Sequence, residues 1–332
     1  MKTGFIIGKF YPLHLGHMYL IDIARANCDH LIVWVCEKAE QTVLGHIRAG
    51  WIKELYPDVE IRLVPDTLPD NDTEGWAKYT VRVLGKAPDI VFTSEDYGEP
   101  YAKAMGSEHM MVDKRRVHVP VSGTKVRENT EMNWEFLSAP VRAYYAKRIV
   151  VLGAESTGTT TLAIALKEHF NTEWVPEYGR DYCLHRNMGD KWQTEEFIHI
   201  ASEQTRRENE IARRARNILI CDTDAFATTV WHKRYMGYYS SALEKISECK
   251  KADLYILTGD EIPFTQDGTR DGEHIRHEMH AWFKDELEKT GRKFITVTGS
   301  REERLECSVR AIEEIIRKQK DFSSPTQKEN TE

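Results

Sequence analysis

The chain has 332 residues, enough for two domains, and its 41% hydrophobic and 30% charged residues are typical of a globular protein. A net charge of -7 disfavours a nucleic-acid-binding protein. The cysteines are scattered, and the sequence has no signal peptide, lipidation motif or membrane-spanning apolar run. We therefore expect a cytoplasmic protein with buried, reduced thiols and no membrane partner.

The chain opens with a predicted strand, a short loop and a predicted helix, in the stretch "GFIIGKFYPLHLGHMYLI". The apolar residues 5–7 are bounded by glycines, which favours a buried strand. From Leu15 onward, the apolar spacing predicts an amphipathic helix over residues 18–26. His14 and His17 lie where the strand ends and the helix begins, and the free amides of a helix N-terminus favour an anion there.

Further apolar runs alternate with helical patterns and predict the fold class. Strands are expected at 31–35, 61–64 and 89–93, and a helix at 46–55, which indicates a parallel sheet flanked by helices. A second strand–loop–helix unit begins at Lys147, and later strands are predicted in "RNILICD", "ADLYILTGD" and "KFITVTG". We expect two α/β domains, 1–146 and 147–320, followed by a polar tail at 321–332.

A second candidate anion-binding segment, "SGTKVR", follows about a hundred residues after the first loop. Gly123 permits close approach of the backbone, Ser122 and Thr124 offer hydroxyls, and Arg127 can bind phosphate oxygens with two N–H groups. The two histidines could form a metal pair, but no neighbouring Cys, Asp or Glu completes a ligand set. They could also simply cap the helix, an alternative that the second segment disfavours.

The second half begins with the glycine-rich loop "GAESTGTTTL" between a predicted strand and a predicted helix. This context is typical of a phosphate-binding loop. The pattern usually has a lysine after the last glycine, whereas this chain has Thr159. Thr160 can still bind Mg²⁺ and the amides can still bind phosphates, but the positive charge is missing. A glycine turn without a ligand is the alternative.

Three later segments support a nucleotide site. "NILICDTDAF" ends a strand in Asp222, where an aspartate can hold Mg²⁺, and "VPEYGRDY" carries Glu177 and Arg180. "PFTQDGTRDGEHIRHEM" has the charge pattern of a lid with Arg270 and Arg276, although a solvated charged loop is an alternative reading. Arg180, Arg270 or Lys147 could replace the missing lysine charge.

The first half resembles the nucleotidylyltransferase superfamily, through "GKFYPLHLGH" (HxGH) and "SGTKVR" (SxTxxR). The sequence of these motifs is similar to that of the nicotinamide mononucleotide adenylyltransferase domain of the bifunctional NadR proteins. The resemblance implies a Rossmann-like fold, with catalytic roles for Lys9, His14, His17 and Arg127, and Trp76 against nicotinamide mononucleotide, although Trp76 could instead be a half-buried packing residue. It also implies an ATP site made of Gly8, Lys9, Phe10, His14, His17, Asp96, Tyr97, Ser122, Thr124 and Arg127.

The second half resembles the P-loop ribosylnicotinamide kinase domain of the same proteins, through "GAESTG", "PEYGR", "CDTD" and "DGTR". By this resemblance Glu177 and Asp222 would be catalytic, and Thr160 and Asp222 would bind the metal. Glu177, Tyr178, Arg180 and Asp224 would hold the riboside. The implied ATP site consists of Gly153, Glu155, Ser156, Thr157, Gly158, Thr159, Thr160, Thr161 and Arg270.

The resemblance implies a bifunctional enzyme of NAD salvage that uses ATP and Mg²⁺. One half would phosphorylate nicotinamide riboside and the other would join the mononucleotide to AMP, giving NAD. Some family members add an N-terminal DNA-binding module; this chain starts at the first strand, so we expect no DNA partner. A homo-oligomer is compatible with the sequence. Two alternatives are a second half that only senses nucleotides, motivated by Thr159, and an adenylyltransferase for another substrate such as pantetheine phosphate.

Overall fold

The structure is a computed structural model that describes residues 1–187, 189–266 and 273–322. It divides into two compact units, Met1–Val141 and Arg142–Glu332. The helix Ala139–Tyr145 spans this division, and the first strand of the second unit starts at Lys147. The second sheet therefore begins at the residue where the sequence predicts the second domain.

The first unit contains a parallel sheet whose strands lie in the order β3-β2-β1-β4-β5. The strands are β1 (Thr3–Gly8), β2 (His30–Glu37), β3 (Glu60–Pro65), β4 (Ile90–Thr93) and β5 (Glu108–Met111). The strand order reverses between β1 and β4, and ligands of open parallel sheets bind at such a crevice beyond the carboxyl ends of the strands. The loops after Gly8 and Thr93 meet at that crevice.

Helices surround this sheet because their apolar faces cover strands that are apolar on both sides. They are α1 (Leu15–Ala26), α2 (Gly45–Leu55), α3 (Thr73–Leu84), α4 (Gly98–Met105), α5 (Gly123–Glu128) and α6 (Ala139–Tyr145). Phe5, Trp34 and Tyr101 form the centre of the core, with the Phe5 and Trp34 rings edge to face at 5.2 Å. The strands and helices predicted in this half are confirmed, and most of them extend one to three residues further than predicted, whereas β4 begins one residue later, at Ile90.

The second unit contains another parallel sheet, in the order β10-β9-β6-β8-β7. The strands are β6 (Lys147–Leu152), β7 (Glu173–Val175), β8 (Ile218–Asp222), β9 (Leu254–Thr258) and β10 (Phe294–Val297). β6 is central, and the carboxyl end of β8 lies beside that of β6. This pairing brings Asp222 next to the glycine-rich loop that follows Leu152.

The described helices of the second unit are α7 (Thr159–Phe170), α8 (Tyr178–Leu184), α9 (Thr194–Ala212), α10 (Ala225–Met236), α11 (Ser241–Cys249), α12 (Arg276–Lys289) and α13 (Arg301–Phe322). The predicted tail therefore begins inside α13, and residues 323–332 lie outside the described part of the chain. Cys36 and Cys221 are buried, as predicted. Within the described residues, no helix combines the length and apolarity needed to cross a bilayer.

Candidate functional sites

The loop after β1 is held in place by a buried arginine. Arg48 of α2 is fully buried and donates hydrogen bonds to the carbonyl oxygens of Lys9, Cys36 (2.9 Å) and Val43 (3.0 Å). Phe10, in a left-handed conformation with φ 46°, packs its buried ring edge-on against His17 at 5.0 Å. The loop is therefore fixed by the interior of the unit, which makes it a rigid platform.

His14 and His17 cap α1 reciprocally. Nδ1 of His14 accepts from the His17 amide at 3.3 Å, Nδ1 of His17 accepts from the His14 amide at 3.4 Å, and the rings stack at 3.7 Å. The capping alternative is thus realised, but His17 also lines a cavity, whereas His14 is only 5% exposed. Because both Nδ1 atoms accept, each neutral ring carries its proton on Nε2 and can donate from there.

The electrostatic surroundings keep both rings uncharged. Burial and the positive charges of Arg116 and Arg127 lower the pKa of His14 to about 4. Burial, together with the adjacent His14 and Arg116, lowers the pKa of His17 well below its ordinary value. At neutral pH the histidines therefore act as hydrogen-bond donors, and the cationic charge in this region comes from arginine and lysine.

The structure brings the segment 122–127 against the first loop. Arg127 donates from Nη1 to the carbonyl oxygen of Tyr11 at 2.6 Å and from Nη2 to Thr124 Oγ1 at 3.1 Å. Ser122 caps α5 by accepting from the Lys125 amide at 3.2 Å. A Cβ atom at Gly123 would lie 3.0 Å from the Tyr11 carbonyl oxygen, so the glycine permits the close approach of the two segments.

These segments border a cavity of about 550 Å³. Most residues predicted for the first site line it, namely Gly8, Lys9, Phe10, His17, Trp76, Tyr97, Ser122, Thr124 and Arg127. Two predicted residues do not line it: His14 lies behind His17, and Asp96 is 80% exposed and paired with Lys114. Trp76 is only 9% exposed and donates its indole N–H to the Pro69 carbonyl at 3.2 Å, so it is mainly a core residue.

The sequence interpretation missed four charged residues of this cavity: Arg116, Asp66, Asp70 and Glu95. Arg116 has φ 52° and donates to Glu95 at 2.8 Å. Lys9 Nζ lies 3.0 Å from Asp70 and 3.6 Å from the buried Asp66. Burial lowers the pKa of Lys9, but the two carboxylates outweigh it and raise the pKa overall. Lys9 therefore enters the cavity as a fixed cation.

In the second unit the glycine-rich loop has the tight geometry of an anion-binding turn. A Cβ atom at Gly153 would lie 2.2 Å from Thr258 Oγ1, and Gly158 has φ +85°. Ser156 also has a positive φ of 61°. Thr157 points inward and shares a hydrogen bond of 2.7 Å with Thr258. Glycine and contacts to β9 thus set the conformation of the loop, and backbone amides in such a turn can bind an anion.

A pair of buried carboxylates lies beside this loop. Asp222, 2% exposed at the end of β8, accepts hydrogen bonds from the hydroxyls of Thr160 and Thr159, yet burial raises its pKa. Burial and the negative charge of Asp222 raise the pKa of Glu177. Arg180 also lines this cavity of about 180 Å³ and acts electrostatically on both carboxylates.

One end of the second cavity is aromatic, a feature that the sequence interpretation missed. Its lining includes Trp192, Phe197, Trp231, Tyr235 and Phe283. Trp231 and Tyr235 are four residues apart on α10, a spacing that could have revealed a shared helical face. The buried Gln204 accepts from the Tyr178 amide at 2.9 Å and so fixes the loop that carries Glu177.

Other residues predicted for the second site lie elsewhere. Asp224 caps α10 through the Ala227 amide (2.9 Å) and accepts from the Tyr255 hydroxyl (2.8 Å), so it faces the interior. The Tyr178 hydroxyl pairs with His199 at 2.9 Å, and its ring lines a separate surface depression. Thr161 is exposed on α7 and is absent from the cavity lining.

The other two candidates for the missing lysine charge are Lys147 and Arg270. Lys147 is the first residue of β6, at the end of the strand away from the loop, and pairs with Asp253 at 3.0 Å. Strand geometry puts it roughly 16 Å from the loop, too far to act on a phosphate there. Arg270 lies outside the described residues. In the described part of the chain, no group of three His, Cys, Asp or Glu side chains could hold a metal ion.

Comparisons with known proteins found a matching family and similar sequences. Residues 148–304 match the family described as AAA domain. The trifunctional NAD biosynthesis/regulator protein NadR of Escherichia coli (strain K12) is 28% identical over 320 residues, covering 89% of this chain and 78% of that protein. Its counterpart in Salmonella typhimurium is 28% identical over 295 residues, covering 81% of this chain and 72% of that protein.

Solved structures share the fold over nearly the whole chain. A crystal structure of a NadR protein in complex with NR has a TM-score of 0.74 at 21% identity and covers 95% of this chain and 96% of its own. A NadR structure in complex with NAD and AMP-PNP has a TM-score of 0.73 at 21% identity, with the same coverage. Sequence similarity and shared fold together show that the chain is homologous to the NadR proteins.

Proposed function

We propose that this chain is a bifunctional enzyme of NAD biosynthesis. The first unit transfers an adenylyl group from ATP to nicotinamide mononucleotide, giving NAD and pyrophosphate. The second unit phosphorylates nicotinamide riboside with ATP and so supplies the mononucleotide. The homology to NadR proteins, for which structures are known in complex with NR and with NAD and AMP-PNP, supports this at the level of the family.

The main observation in favour of adenylyl transfer is that two segments far apart in the sequence line one cavity. Lys9, Arg116 and Arg127 line that cavity as cations, and His17 offers a neutral donor. The phosphate of the mononucleotide is already ionised and can attack the α-phosphorus of ATP directly, so no general base is needed. Charge that develops on the phosphoryl oxygens would instead be stabilised by these preorganised donors.

The second cavity combines the parts that a riboside kinase requires. The glycine-rich loop would hold the ATP phosphates, and Glu177 would take the proton of the riboside 5′-hydroxyl. Nicotinamide riboside carries a cationic ring, which suits the aromatic end formed by Trp192, Trp231 and Tyr235. Glu177 lies in the same lining as both the loop and these rings.

Mg²⁺ fits the donors beside the loop. Mg²⁺ is usually bound by one or two protein oxygens plus phosphates and waters, and the hydroxyl of Thr160 already contacts the carboxylate of Asp222. When bound, the ion would neutralise phosphate charge during the transfer. In this proposal Thr160 and Asp222 hold it, while Glu177 handles the proton.

The absence of the loop lysine favours a second candidate, in which the second unit binds ATP as a regulatory signal without transferring phosphate. Incubation of the chain with γ-labelled ATP, Mg²⁺ and nicotinamide riboside distinguishes the two candidate functions of the second unit. Label recovered in nicotinamide mononucleotide supports the kinase. ATP binding in the second unit without labelled product supports the sensor.

A further inference from the structure

The phosphate loop of the second unit has no cation at the position where lysine is usual. Thr159 stands there, and its hydroxyl bonds to Asp222. Backbone amides alone offer only partial charges to a triphosphate, and enzymes of this type use full positive charges as well. A guanidinium that contacts the loop directly could supply the missing positive charge.

Arg304 at the start of α13 makes such a contact. It is 5% exposed and donates from Nη1 to the Thr157 carbonyl oxygen at 2.7 Å. Its Nη2 reaches the Gly259 carbonyl oxygen at 3.2 Å and Glu261 Oε1 at 2.6 Å. The guanidinium, from a residue 147 positions after Thr157, thus connects the phosphate loop to the end of β9.

Arg276 binds the preceding carbonyl of the same loop. It is 6% exposed and donates from Nη2 to the Ser156 carbonyl oxygen at 3.1 Å. Its Nε is buried and has no hydrogen-bond partner within the described residues. The acids Asp260, Glu261 and Glu273 act on it electrostatically. Two buried guanidinium groups therefore donate hydrogen bonds to the carbonyl oxygens of two consecutive loop residues, Ser156 and Thr157.

This arrangement can strengthen anion binding on the other side of the loop. A hydrogen bond from a cation to a peptide oxygen polarises that peptide, which makes its neighbouring N–H groups better donors. The guanidinium charge also persists at every physiological pH. A Cβ atom at Gly158 would lie 3.9 Å from Arg304 Nη1, so the charge lies close to the turn itself.

We propose that Arg276 and Arg304, through their hydrogen bonds to the loop carbonyl oxygens, provide from behind the phosphate loop part of the electrostatic stabilisation that a lysine at position 159 would otherwise supply. They are positioning residues, because they act on ATP through the loop peptides. The proposal rests on ATP binding in the second cavity, as proposed above.

The test asks whether a lysine at 159 makes the arginines dispensable. KM for ATP and kcat are measured for riboside phosphorylation by the full chain carrying Arg304→Gln or Arg276→Gln, each with and without Thr159→Lys. Either single substitution should raise KM for ATP roughly tenfold or more, the effect of losing one charge-assisted hydrogen bond. Adding Thr159→Lys should return KM to within about threefold of the chain that carries Thr159→Lys alone.

Arg292→Gln is the matched control. Arg292 is also a buried arginine of this unit, 6% exposed and paired with Glu248 at 2.7 Å, but its described partners lie away from the loop. Its replacement should lower stability by leaving a buried partner unpaired, as the replacement of Arg304 does, while KM for ATP stays within about twofold of the wild type. If Thr159→Lys lowers KM for ATP by the same factor in Arg292→Gln as in Arg304→Gln and Arg276→Gln, the result contradicts the proposal.

Three further outcomes complete the test. Unchanged KM in both loop variants, or a loss that Thr159→Lys does not reverse, overturns the charge role and leaves a structural one. If Arg304→Gln does not fold by circular dichroism, Arg276→Gln with and without Thr159→Lys decides the question. If the wild-type chain phosphorylates no riboside, the kinase proposal fails, and ATP titration calorimetry of the same variants in an Arg127→Ala background tests the arginines separately.

Discussion

Arg127 donates a hydrogen bond of 2.6 Å to the carbonyl oxygen of Tyr11, which joins two segments 116 residues apart. This contact places the guanidinium at the rim of the first cavity, next to the loop that carries Lys9 and His17. The adenylyl-transfer proposal depends on this junction, and four substitutions test the two proposed sites.

Arg127→Ala should lower kcat/KM for NAD formation from ATP and nicotinamide mononucleotide by roughly 10²- to 10³-fold, the usual loss for one transition-state donor. Pyrophosphate release measures the rate. Lys125→Ala, on the same helix and exposed, is the control and should stay near wild type. Riboside phosphorylation should be unaffected in both variants, and a parallel fall in it would point to misfolding instead.

Gly16→Ala should reduce adenylyl transfer by roughly 10- to 100-fold, because a Cβ atom there lies 3.0 Å from the His14 ring and displaces the histidine pair. Gly50→Ala is the matched control, since no atom lies within 4 Å of a Cβ at that helical glycine. The control should stabilise the protein by up to about 1 kcal/mol in thermal unfolding. Equal activities of the two variants would remove His14 and His17 from the proposed site.

Glu177→Gln should lower kcat for riboside phosphorylation by roughly 10²- to 10⁴-fold, as expected for loss of a general base. In the wild type, burial is the main cause of a raised pKa of Glu177, so the carboxyl stays protonated above the ordinary range of a glutamate. The protonated form cannot accept a proton, and kcat should therefore fall as the pH drops through that raised pKa.

The corresponding control is Glu173→Gln, at the start of β7 and outside the cavity lining. It should preserve both kcat and its pH dependence. A Glu177→Gln enzyme that retains the wild-type pH profile would assign the titration, and the base, to another group.

Trp231→Leu should raise KM for nicotinamide riboside by roughly 2- to 30-fold while KM for ATP stays unchanged, because the loss is confined to cation–π and stacking contacts with the riboside ring. Trp282→Leu, a tryptophan of α12 that does not line the cavity, should leave both values unchanged. A rise in KM for ATP alone in Trp231→Leu would place the adenine, not the riboside, at the aromatic end.

The sequence predicted the sheets and both loops because these signals are local. Glycine-bounded apolar runs set the strands, and the residues that follow β1 and β6 carry their own turn chemistry. Asp222 could be placed for the same reason, as the last residue of an apolar strand.

Side-chain direction and long-range contact could not be read in the same way. Asp224 is only two residues beyond Asp222, yet its side chain points inward and contacts Tyr255. The reason is that Thr223 has a φ of 74°, which interrupts the regular strand geometry between the two aspartates. Arg304 reaches Thr157 only through the packing of α13. Hydrophobic periodicity predicts which face of a helix or strand is apolar, but it does not predict which distant loop a polar side chain contacts.

The central claim is that one chain carries both activities, and mass spectrometry of a single reaction tests it most directly. The 332-residue chain is incubated with ATP, Mg²⁺ and nicotinamide riboside, without added mononucleotide. The account predicts accumulation of NAD, with nicotinamide mononucleotide as the intermediate and label from γ-labelled ATP in its phosphate. Formation of NAD only when the mononucleotide is supplied would contradict the kinase half, and no NAD under either condition would contradict the whole account.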